Sequence, residues 1–93
     1  MDKIKILTIT TSGLKKKDGI STIILDSYEE LDIEKYEIDI TVSGAYDLDL
    51  INAFENIEVH PRYLPERKRE PGNYVRELRS LLLKEKYDVV YVH

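Results

Sequence analysis

The residues best suited to chemistry lie in one stretch, Thr10-Thr11-Ser12-Gly13-Leu14-Lys15-Lys16-Lys17-Asp18-Gly19. Gly13 and Gly19 permit positive φ or close backbone approach, and successive N–H groups in such a loop form a concavity that accepts phosphate. Lys15, Lys16 and Lys17 would screen its charge. The same two glycines also suit a tight connection that holds no ligand. A second group is Arg67-Lys68-Arg69, with Arg62 upstream, in a segment carrying Pro65 and Pro71. Glu66 and Glu70 offset part of that charge, so the segment reads as a solvated connection, with contact to an anionic or membrane surface as the sharper alternative. His60 has no partner pattern for catalysis and reads as an outward residue at a strand end. The absence of cysteine removes disulfides, thiolate metal sites and a cysteine nucleophile.

The elements that position these residues follow from apolar spacing. Ile4, Ile6, Leu7 and Ile9 form a run too continuously apolar for a half-solvated strand, and it reads as the centre of a parallel sheet over 4–10. Ile20, Ile23, Ile24, Tyr28 and Leu31 mark one helical face, with Asp18 or Ser21 as N-cap. Residues 37–42 alternate, placing Ile38, Ile40 and Val42 inward and Glu37, Asp39 and Thr41 outward, a less buried strand than the first. Ser43-Gly44-Ala45 turns, Asp47 can cap, and Leu48, Ile51 and Phe54 predict a short helix. Residues 57–60 form a third strand closed by Pro61. A helix over 74–86, with Asn73 or Glu70 as N-cap, turns Tyr74, Val75, Leu78, Leu81 and Leu82 to the core. Residues 88–92 form a second fully apolar strand.

Strand, helix, strand repeated in this way predicts an α/β fold: a parallel sheet ordered 3-2-1-4 with helices on both faces. Ligands in such sheets sit beyond the carboxyl ends of the strands, so Ser12 to Gly19 and His93 are expected to converge on one crevice. With 93 residues and its final residue at the tip of a central strand, the chain is expected to be a fragment of a larger protein.

Composition narrows the class. The chain is 42% apolar and 34% charged, as in globular proteins, and no apolar run approaches the ~20 residues that span a bilayer. No signal-peptide pattern opens it, so the cytoplasm is the expected location. Residues 1–25 carry a net charge of +3, residues 26–58 carry −10 and residues 59–93 carry +3, which sum to the overall −4. A general nucleic-acid binder would not look like this. The acidic middle reads as a solvated face. G-x-G-x-x-G is absent after the first strand, and so is the P-loop pattern, because Gly19 is followed by Ile20-Ser21.

The order of features resembles the N-terminal domain of GT-B glycosyltransferases of the family 4 type, which build bacterial capsule and lipopolysaccharide. The resemblance runs through all 93 residues. Lys5-Ile6-Leu7 begins the first strand, Asp18-Gly19-Ile20-Ser21-Thr22 stands where the family carries Gly-Gly before a helix, and Glu34 to Asp39 opens the second strand. Lys86-Tyr87-Asp88-Val89-Val90-Tyr91-Val92-His93 resembles the family's stretch ending in His-x-His. Asp18 departs from the first glycine of the pair, and Tyr91 from the first histidine.

The resemblance implies that residues 1–93 are part of a Rossmann-like, acceptor-side domain whose donor-binding partner domain is absent. It implies transfer of a sugar from a UDP- or GDP-linked donor to a carbohydrate or lipid-linked acceptor, without a metal or other cofactor. Ser12, Gly13, Asp18 and Gly19 would form the donor-diphosphate loop, and His93 would lie at the cleft. Arg62, Arg67, Lys68 and Arg69 are the candidates for an anionic surface, which would put the intact enzyme in the cytoplasm or at the inner face of the membrane. The competing reading is a non-catalytic α/β module that binds phosphate or a nucleotide.

Overall fold

The computed structural model describes residues 3–10, 14, 19–32 and 34–92. Strands and helices alternate: β1 (Ile4–Ile9), α1 (Gly19–Glu29), β2 (Tyr36–Ser43), α2 (Leu48–Asn56), β3 (Val59–Leu64), α3 (Pro71–Glu85) and β4 (Val89–Val92). The four strands form one all-parallel sheet ordered β3-β2-β1-β4, as the apolar pattern predicts.

Register separates the two faces. Ile6 stands beside Ile38 and Val89, and Leu7 stands beside Asp39 and Val90. On the first face, Ile6, Ile38, Ile40, Val42 and Val59 pack with Ile24 of α1 and with Leu50, Ile51 and Phe54 of α2. The second face carries Lys5, Asp39 and Arg62, and meets α3 through Glu85. Because each strand–helix–strand crossover is right-handed, α1 and α2 carry the chain outward on one face, and α3 must return over the other to place β4 beside β1.

Several expectations are corrected by packing. The second strand is the better buried one: Asp39 and Thr41 are fully buried, whereas Ile4 at the start of β1 is exposed. Strands flank β2 on both sides and α3 returns over its second face, so its outward-reading alternation meets a second layer and not water. The third strand is not closed by Pro61 but runs through it to Leu64. β3 is an edge strand, where a missing N–H leaves no ladder partner unsatisfied. Glu58, at φ 62°, supplies the left-handed turn that ends α2 and starts β3. Ile23 and Val75, predicted inward, are exposed. Ile23 lines an open apolar groove with Ile24, Tyr28 and Tyr91 beside the free edge of β4.

Phe54 is fully buried among residues of the first face and is the largest such side chain. Phe54→Ala is expected to lower stability by about 3–5 kcal/mol, read as a shift in the urea-unfolding midpoint at unchanged slope.

Candidate functional site

Three loops gather at the carboxyl edge of the sheet. The first follows β1; within it Leu14 is fully buried, and its carbonyl accepts a 2.8 Å bond from the Asp47 N–H. That bond ties the first loop to the start of α2. The second loop leaves β2 at Gly44, whose φ of +87° suits glycine, and a Cβ there would lie 3.6 Å from Glu66 Cγ of the third loop. Ser43 joins these two: its hydroxyl donates to the Pro65 carbonyl at 2.9 Å and accepts from the Arg67 N–H at 3.1 Å. Tyr46 and Tyr63 stack at a tilt beside them, with ring centroids 5.7 Å apart.

Hydroxyls also lock the end of β1. The Thr10 N–H donates to Thr41 Oγ1 at 3.1 Å, and Thr10 Oγ1 donates to the Thr41 carbonyl at 2.9 Å. Thr10 is therefore engaged inside the sheet. Two residues earlier on β1, the hydroxyls of Thr8 and Tyr28 hydrogen-bond and fasten α1 to β1. Burial raises the Tyr28 phenol pKa against the effect of that bond.

Of the sequence-predicted site residues, Gly19 is the first residue of α1. Val92 pairs with Ile9, and both strands deliver the chain to the same edge. Ser12, Gly13, Asp18 and His93 lie outside the described residues, and so does their expected convergence. Arg67, Lys68 and Arg69 form an exposed turn in the third loop. Arg62 sits apart from them, with its guanidinium directed into the sheet.

There Arg62 Nε donates to Asp39 Oδ2 at 3.1 Å, and a terminal nitrogen lies 3.4 Å from Glu85 Oε1. Glu85 Oε2 accepts from Lys5 Nζ at 2.6 Å, Lys5 lies 5.5 Å from the centre of the Tyr87 ring, and the Tyr87 hydroxyl donates to Asp39 Oδ2. Two acids and two bases alternate, so the cluster carries no net charge with which to draw a ligand. Its part is to join α3 and β4 to the sheet. Burial, followed by the Asp39 hydrogen bond, pushes the Tyr87 phenol well above its ordinary value. The Lys5 hydrogen bond holds the Glu85 carboxyl below its ordinary range, and the same bond raises Lys5. For Arg62, burial opposes the charge but Asp39 outweighs it, and the pKa rises.

Sequence reasoning missed both the hydroxyl lock and this cluster. The available signal was polar residues inside strands that must be central: Thr8, Asp39 and Thr41 there require partners across the sheet. Among the described residues, no group of three or more His, Asp or Glu side chains is placed to hold a metal ion. Compared with protein families, with curated proteins and with solved structures, the chain matches none. Its class is an α/β protein with a parallel, doubly wound sheet and a loop-lined edge at the carboxyl ends.

Two outcomes follow from the cluster. Asp39 is fully buried, while the Arg62 side chain keeps 38% of its exposure, so removing the arginine strands a charge that removing the acid does not. Arg62→Leu is expected to lower stability by about 3–5 kcal/mol, and adding Asp39→Leu to recover most of it in urea titrations. Tyr87 has a folded pKa above the unfolded value of about 10; its contribution is complete below that pH and is lost as pH rises toward the folded value. Tyr87→Phe is expected to flatten the fall in melting temperature above about pH 10.

Proposed function

We propose that the chain is the acceptor-side domain of a glycosyltransferase that moves a sugar from a nucleotide-sugar to a carbohydrate or lipid-linked acceptor. The observation that carries this reading is the strand order. Because α1 and α3 cover opposite faces, the edge at which the neighbouring strands β1 and β4 end together is the switch point where sheets of this kind form a crevice. Into that crevice α1 opens with Gly19 at its first position, where helix N–H groups lack internal partners and the helix dipole favours an anion.

Sugar transfer from a nucleotide diphosphate requires that the negative charge developing on the departing diphosphate be stabilised without a change in the protein's own geometry. Fixed backbone N–H groups supply that. The absence of a side chain at position 19 lets a diphosphate approach the backbone. The residue pattern Asp18-Gly19-Ile20-Ser21-Thr22 and the block from Lys86 to His93 add the resemblance to family 4 enzymes. The donor's nucleotide and sugar would be read mainly by a second domain across the cleft.

Two measurements test the proposal. With half the cleft missing, the 93-residue chain is expected to show no micromolar heat of binding with UDP- or GDP-sugars, and such binding would favour a free-standing nucleotide module. In the intact enzyme, Gly19→Val is expected to reduce transfer of labelled sugar to lipid-linked acceptor by about tenfold or more, the loss of one oxyanion-type donor being on the order of a hundredfold. Unchanged turnover removes the diphosphate site, and no transfer from any nucleotide-sugar overturns the reading.

A further inference from the structure

An apolar groove beside α1 on the first face is lined by no described residue of the carboxyl-edge loops. Ile6 and Ile24 are buried at its base, while Ile23 of α1 and Tyr91 of β4 line it at 65% and 51% exposure. Every described residue lining it is uncharged, in a chain that is 34% charged. Contiguous apolar surface left open in this way marks a site of association.

Two hydroxyls in the groove are already engaged. Ser27, one turn after Ile23 on α1, donates to the Ile23 carbonyl at 2.9 Å, and the Tyr28 hydroxyl is bonded to Thr8. Covering them strands no donor, so the groove suits an apolar protein surface better than a ligand read by hydrogen bonds. The topology does not close it either. From β1 to β3 the chain steps one way across the sheet, and from β1 to β4 the other. A further parallel strand beside β4 would therefore carry its right-handed connection over the second face, with α3, and leave the groove open.

We infer that the groove takes a second copy of this chain, in a two-fold contact that sets the α1 helices side by side and antiparallel. A surface that meets its own copy across a two-fold axis must carry a projection and a recess together. This one does: Ile23 projects beside the recess and enters the partner's groove against its Tyr91. Charge selects the place. Residues 26–58 carry −10, so most of the surface around the groove repels its own copy, and the uncharged groove does not. The small Ser27 lets the helices approach closely, and antiparallel helices set opposite ends of their dipoles together. Asp26 and Glu30, both exposed, flank the contact on the solvent side of α1. Nothing in this contact depends on sugar transfer.

Sedimentation equilibrium of the 93-residue chain, read as a dimer dissociation constant, tests it. A dimer is expected, and it tightens as salt is raised, because each copy carries −4 and salt screens the repulsion. Ile23→Asp is expected to weaken it by about tenfold or more, through loss of the buried side chain alone. Val75→Asp, at a position of similar exposure on α3, leaves it unchanged, and in dilute solution both variants melt near the parent's temperature. The chain has no cysteine, so cross-linking of single-cysteine variants reports the contact directly. Mild oxidation of an equimolar mixture of Ile23→Cys and Tyr91→Cys is expected to give the mixed disulfide-linked dimer, and Ile23→Cys with Val75→Cys to give none. A monomer at every concentration, a dimer that Ile23→Asp leaves intact or that salt dissociates, or cross-linking to Val75→Cys as efficient as to Tyr91→Cys overturns the inference.

Discussion

A carboxylate buried in the middle of the sheet is the constraint on which the rest of this architecture depends. Asp39 is fully shielded from water, and an ionised carboxylate there is tolerable only with charged and hydrogen-bonding partners. Those partners come from three different elements: Arg62 from β3, Tyr87 from the segment joining α3 to β4, and, through Arg62, Glu85 from the last turn of α3. Lys5 closes the chain back to β1. Every strand of the sheet is therefore linked to this one side chain, either directly or through its chain of partners.

The cluster also explains how α3 is held. A surface helix usually docks by burying an apolar stripe, yet Tyr74 is its one buried residue among those described. The face beneath it offers Lys5, Asp39, Thr41 and Ser43, with Leu7 and Ile9, so hydrogen bonds and ion pairs share the fastening with apolar contact. Such pairs contribute orientation more than net stability, since desolvation offsets much of their attraction. Orientation is what this helix must supply. Lys86, in the left-handed conformation at φ 50°, turns the chain at once into Tyr87 and Asp88, and Asp88 exchanges two 2.8 Å bonds with the backbone of Lys5.

A division of labour between the ends of the sheet results. The amino half of the second face is charged and internally compensated. The carboxyl edge is built from loops fixed by short hydroxyl and backbone bonds: Thr10 to Thr41, Ser43 to Pro65 and Arg67, and Asp47 to Leu14. The helix that leaves the first loop is itself fastened below by Thr8 and Tyr28. No helix among the described residues is long and apolar enough to cross a membrane.

The sequence by itself determined the alternation of strands and helices and the parallel order 3-2-1-4, because continuous β-branched runs can be satisfied only in a sheet covered on both faces and crossovers have one hand. It placed Gly19 at the end of the loop before the first helix, where the structure makes it the first residue of α1. It did not determine which polar residues in the strands are buried. Alternation in β2 reads as inward and outward, and only the return of α3 over the second face turns Asp39 and Thr41 into interior residues. Nor could it separate Arg62 from Arg67, Lys68 and Arg69, since a run of cations has no direction until a carboxylate across the sheet claims one of them. Val75 likewise has the spacing of a core residue and is exposed, because it lies off the side of α3 that carries Glu85, which Lys5 and Arg62 hold against the sheet. Local spacing fixes which face a side chain occupies on its own element; what that face meets is decided by partners distant in sequence.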